Sequence, residues 1–148
     1  MAKSIYKPSK FIYWTPRILS ILFLLFLTLF SFDVIQPGLR LWQIALGFFM
    51  HNIPVLVLLA VLIISWKHEI VGGIVFILAG LFYITSLTIT SIINGFEWYY
   101  IVWSLNIAGP ALFIGILFLI GWFKKRKVYN TNIKLKKKEQ ITKKGEIE

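Results

Sequence analysis

With 148 residues the chain has room for one domain. Apolar residues make up 58% and the mean hydropathy is +0.79, against an apolar share of about 45–50% in soluble folds, which excludes a soluble globular domain. The net charge of +10 lies outside the apolar stretches, unlike the patch of a nucleic-acid binder, and the chain has no cysteine for disulfides, thiolate catalysis or membrane thiol–disulfide exchange.

Residues 1–16 read as a basic, aromatic cytoplasmic N-tail, with Tyr6, Phe11, Tyr13 and Trp14 suited to the headgroup zone. Span one is expected over about 17–35, ending at Asp33 and the turn Gln36, Pro37, Gly38. Its apolar core is short, like that of a signal peptide, but no small-x-small cleavage site follows and three more spans do, so it reads as a retained anchor. Span two covers about 39–66 with Pro54 inside, and the short connection Lys67, His68, Glu69 leads into span three, about 70–93. Asn94 and Gly95 break the chain before span four, about 96–123, which contains Pro110. No charged residue falls between Leu41 and Trp66, between Ile70 and Ile93, or between Trp98 and Phe123. Such runs match the roughly 20 residues needed to cross about 30 Å of hydrocarbon. The chain is therefore expected to be an all-α polytopic membrane protein, with a four-helix transmembrane domain over 17–123. Residues 124–148 form a lysine-rich cytoplasmic tail, expected to be frayed or loosely helical.

The basic residues orient this arrangement. Four precede span one, ten follow span four, and Lys67 lies between spans two and three, leaving Arg40 alone on the other side. By the positive-inside rule both termini and the 2–3 connection are cytoplasmic, in a cell membrane.

Trp42, Pro54 and Trp66 recur as Trp98, Pro110 and Trp122, each 56 residues on, and Leu56–Leu112 and Ile64–Ile120 share that offset. Two readings stay open. One is an internal repeat forming two parallel helical hairpins related by an axis along the membrane normal. The other is an aromatic belt with two coincidental prolines.

Asp33 after span one, Trp42, His51 three residues before Pro54, Trp66 with Glu69, and the pair Gly72, Gly73 together resemble a family of small prokaryotic four-helix integral membrane proteins. That family is known only as a domain of unknown function. The resemblance covers about residues 17–123, implies the four-span fold and implies no activity.

His51 is the most pointed candidate. It lies nine residues from Trp42, about 13 Å by helical rise, at a depth where an ionisable group faces a bundle interior or a cavity. Asn52 follows it. Asn106 lies eight residues from Trp98, at nearly the same depth, so a His51–Asn106 hydrogen bond is expected, direct or through water. Asp33 and Glu97 at the outer ends, with Arg40 nearby, are either solvated or paired cap residues, or the mouth of a cavity reaching His51. The candidate polar cluster is thus His51, Asn52, Asn106 and Asp33. It either glues helices together or forms an outward-opening ligand or proton site.

No cofactor or metal is expected. His68 lies 17 residues beyond His51, about 25 Å by helical rise, too far to share a haem, and no three ligands gather at one depth. Glu69 is read as structural, a carboxylate at a helix N-terminus. Small drug exporters of similar length need a carboxylate within a span, and Asp33, Glu69 and Glu97 are all terminal. Gly72, Gly73, Ala79 and Gly80 on span three and Ala111 and Gly115 on span four suit close helix packing, and the Thr/Ser half of span three could line a polar path. Lys124, Lys125, Arg126 and Lys127 form a candidate contact with anionic lipid headgroups.

Three function classes remain: an accessory or scaffold-type protein acting through helix packing, a small oligomeric transporter or channel using the cluster around His51, and a membrane enzyme. An enzyme should show a nucleophile–base pair or metal ligands at one depth, and none is written here, so no catalysis is expected. The favoured reading is the accessory class, with the bilayer, anionic lipid and a homo-oligomeric or membrane-protein partner as its contacts and no nucleic acid.

Overall fold

A computed structural model describes residues 10–93, 95 and 98–145, and the described residues are all-α. Helix α1 (Lys10–Leu29) runs into a 3-10 turn (Phe30–Val34), followed by α2 (Leu41–Ser65), α3 (Glu69–Ile93) and α4 (Trp98–Gly145). All four are long and apolar enough to cross a membrane, so the chain is built as a multi-pass membrane protein.

Two boundaries differ from expectation. Helix α1 begins at Lys10, within the stretch read as an N-tail, and carries Pro16 inside it. The hydroxyl of Ser20 donates to the Pro16 carbonyl at 2.6 Å. The lysine-rich segment, expected to be frayed or loosely helical, is continuous helix as far as Gly145. Lys, Gln, Glu and Leu are good helix formers, and no glycine or proline interrupts the chain between Gly121 and Gly145. The result is a single helix of 48 residues, about 72 Å long.

The connections follow from local chemistry. Pro37 and Gly38 take the two central positions of a turn closed by the Leu39 N–H donating to the Gln36 carbonyl at 3.4 Å, and Gly38 has φ +93°, which glycine adopts without strain. At the start of α2 the Arg40 N–H donates to Gln43 Oε1 at 2.9 Å. Between α2 and α3 the Lys67 and His68 N–H groups donate back to the Ile64 carbonyl at 3.1 and 3.0 Å.

The tightest interface is α3 against α4, where small residues bring the backbones together. A Cβ placed on Gly115 would lie 2.9 Å from the Gly73 carbonyl and 3.0 Å from the Ile77 nitrogen. One placed on Gly80 would lie 3.3 Å from the Ala108 carbonyl. The hydrophobic centre continues through Phe23, Phe76 and Phe118, with ring centroids 6.5 and 6.1 Å apart in that order. From α2, Val55, Leu58 and Leu62 join this core, with Val61 packed against it. The two halves α1–α2 and α3–α4 are therefore packed unequally. In the Thr/Ser half of α3, Thr85, Thr88 and Thr90 are exposed and donate to the carbonyls of Leu81, Ile84 and Ser86.

Because Gly115 lies against the Gly73 and Ile77 backbone as well as the Ile77 side chain, Gly115→Val is expected to destabilise the bundle by about 2 kcal/mol through overpacking. Titration of helicity with denaturing detergent, compared with Gly109→Val, checks this. No neighbouring atom lies within 4 Å of a Cβ built on Gly109, so that variant should stay near wild type.

Candidate functional site

Two features stand out, one at each end of the bundle. At the end holding the α1–α2 turn, a cavity of about 690 Å³ opens between α2 and the other three helices. Its walls are mostly apolar, with Phe23, Leu27, Val55, Leu58, Val75 and Ala79 among them, and its polar lining comes from Asp33, His51 and Tyr83. The 3-10 turn carries Asp33 to this wall, and the α2 turn containing Pro54 carries His51.

The structure divides the sequence candidates. His51 and Asp33 line the same cavity. Asn52 is buried and turned elsewhere, its Nδ2 donating to the Phe48 carbonyl at 2.9 Å. Asn106 is exposed, is absent from the cavity wall and forms no direct hydrogen bond with His51, which corrects the direct form of that expectation. Counting residues places the two at one depth, but each step along a helix turns about 100°, and it is the next two residues, Ile107 and Ala108, that face the cavity. Asp33 and Arg40 form no ion pair. Glu97 lies outside the described residues.

At the opposite end a charge node ties the helices together. Arg17 and Glu69 are almost completely buried, and Arg17 Nη2 donates to Glu69 Oε1 at 3.0 Å. Lys125 Nζ donates to the same oxygen at 2.7 Å. The Arg17 guanidinium also donates to the Tyr13 and Trp66 carbonyls and lies 3.6 Å over the Tyr13 ring, with Lys125 Nζ 4.6 Å from that ring. Gly121 leaves room for the second carboxylate oxygen, which would lie 3.4 Å from a Cβ there and has no hydrogen-bond partner. The candidate headgroup contact is accordingly split. Lys124, Arg126 and Lys127 are exposed, while Lys125 reaches inward to Glu69.

Sequence reading treated Arg17 and Lys125 as topological charges and missed the node. The signal was the span count, which puts the start of span one, the start of span three and the end of span four at one membrane edge. Among the described residues no three His, Cys, Asp or Glu side chains gather as a metal site. The geometry offers a site for an apolar or amphipathic guest at one end and a helix clamp at the other.

A family profile described as a domain of unknown function (DUF7670) matches residues 5–130. The chain belongs to that family. Its members share a name that assigns no activity, so the site chemistry rests on the geometry above. No curated protein and no solved structure is significantly similar to the chain.

Removing one partner from the node leaves a buried charge uncompensated. Glu69→Gln is expected to cost about 3–5 kcal/mol, whereas Arg17→Met with Glu69→Met should recover most of that loss. Lys125→Gln should cost less than about 1 kcal/mol, because that side chain is 40% exposed. Unfolding of each variant in detergent, monitored as loss of helicity, measures all three.

Proposed function

We propose that this protein is a non-catalytic accessory or scaffold-type protein of a cell-membrane assembly, which acts through helix packing and presents its long basic helix to a partner in the cytoplasm. The observation that carries this reading is the continuity of α4. The helix passes Phe123 and the basic group at the bundle edge and continues 22 residues to Gly145, about 33 Å beyond the apolar span. Lys134, Lys136, Lys137 and Lys138 lie on that extension, beyond the charge that orientation requires. A rigid basic rod suits an acidic protein face or anionic headgroups. The charge asymmetry supports placing both termini in the cytoplasm.

A second reading, a small oligomeric transporter or channel, is favoured by one observation: His51 and Asp33 line a common cavity.

Purification of the tagged full-length protein from native membranes in mild detergent tests the first reading. A stoichiometric second protein is expected, and removal of residues 128–148 should release it. A homo-oligomer or monomer without companions would overturn the accessory role. Orientation is tested separately, and a cysteine-free chain makes the test clean. Gln36→Cys should react with an impermeant maleimide in intact cells, and Asn130→Cys only after permeabilisation. The reverse pattern would overturn the orientation.

A further inference from the structure

We propose that the cavity beside α2 binds a single-chain amphiphile with an ammonium head, its tail lying in the apolar depth of the bundle. The proposal deepens the ligand-handling reading but rests on occupancy alone, so it stands or falls separately from transport and from any partner protein.

Size and shape come first. About 690 Å³ is within the range of roughly 300–1,000 Å³ typical of small-molecule sites. The wall runs along α2 from His51 to Leu58, about 10 Å by helical rise, with Val75 and Ala79 of α3 facing that stretch. A lipid-like tail matches an apolar slot of this depth.

The sign of the head group follows from charge. Asp33 lines the cavity and has no ion-pair partner among the described residues. The chain around it is strongly basic, yet none of the described Lys or Arg residues lines the cavity. Phe30, Phe82 and Tyr83 add aromatic surface to the same lining. A carboxylate combined with aromatic rings favours a cation, since a ring attracts an ammonium within about 6 Å of its centroid. An anionic head would instead meet an uncompensated carboxylate. His51, on the same wall, adds a hydrogen-bonding group.

The test uses the full-length protein in phosphatidylglycerol discs and two photoreactive probes with the same diazirine-bearing tail: dodecyltrimethylammonium and dodecyl sulfate. The ammonium probe is expected to mark peptides around Leu58 and Ala79 about fivefold more strongly than the sulfate, the ratio that a cation–π and carboxylate preference of about 1 kcal/mol produces. Asp33→Asn, which keeps size and removes charge, should abolish the preference. Ala79→Leu, which fills the slot, should reduce cavity labelling by both probes. Helicity and monodisperse elution verify folding, and Asp33→Asn decides alone if Ala79→Leu misfolds. Displacement by a choline-headed lysophospholipid, which has one chain, identifies a membrane lipid as the guest, and displacement only by a free alkylamine identifies a dissolved amphiphile. Equal labelling by the two probes, or cavity labelling that ignores Asp33→Asn, overturns the proposal.

Discussion

The structure depends on a buried ion pair. Arg17 and Glu69 lie where water does not reach, and removing such charges from water costs several kcal/mol each unless their hydrogen bonds are met. Here Glu69 Oε1 and both Arg17 Nη atoms find partners, drawn from every helix, while Arg17 Nε and Glu69 Oε2 do not. Arg17 and Tyr13 belong to α1, the Trp66 carbonyl to the end of α2, Glu69 to the first turn of α3 and Lys125 to α4. Pairing one carboxylate oxygen and the arginine that meets it therefore fixes the relative height of all four helices at one end. Hydrophobic contact could not do this alone, because in a bilayer lipid tails compete equally well for apolar side chains.

From that pinned end the helices separate according to side-chain size. Glycine and alanine let α3 and α4 meet backbone to backbone, and dispersion rewards so close a fit. Helix α2 has no such stripe along its length. Its lower half contributes Leu58 and Leu62 to the core, and near its start Gly47 meets the Val34 side chain while Phe48 packs 5.9 Å from Phe32. Held at both ends, α2 stands away from the others between them, and that gap is the cavity.

Most of the fold was legible because hydropathy and charge report it directly. Uncharged runs of about membrane thickness mark spans, and Gln36-Pro37-Gly38 marks a turn by its own backbone preferences. The candidate site was legible in depth but not in direction. His51 and Asp33 reach one cavity, whereas Asn106, counted to the same height, is exposed on α4. Residue counting fixes height, and direction depends on how the whole bundle is rotated. The charge node escaped for a related reason: a carboxylate beginning a helix looks the same in sequence whether water or an arginine satisfies it. The helical tail was only half legible, as one of two alternatives, because a run of lysines signals solvation more strongly than it signals conformation.

The cavity also differs from a void in a soluble core. In water an empty apolar space weakens a fold, since its walls lose contacts that no solvent replaces. In a bilayer the same space can be filled by hydrocarbon chains, so little drives α2 inward to close it. Pro54 fits that setting. It lies on the cavity wall within α2 and cannot donate to the carbonyl of Met50, so the helix is weakest beside the open space. The α3–α4 pair then supplies a fixed wall, built on backbone contact that tolerates no added methyl at Gly115. Helix α2 supplies the yielding one. A guest entering from the bilayer would displace lipid rather than protein, and the ion pair below would keep the helices in register while it did so.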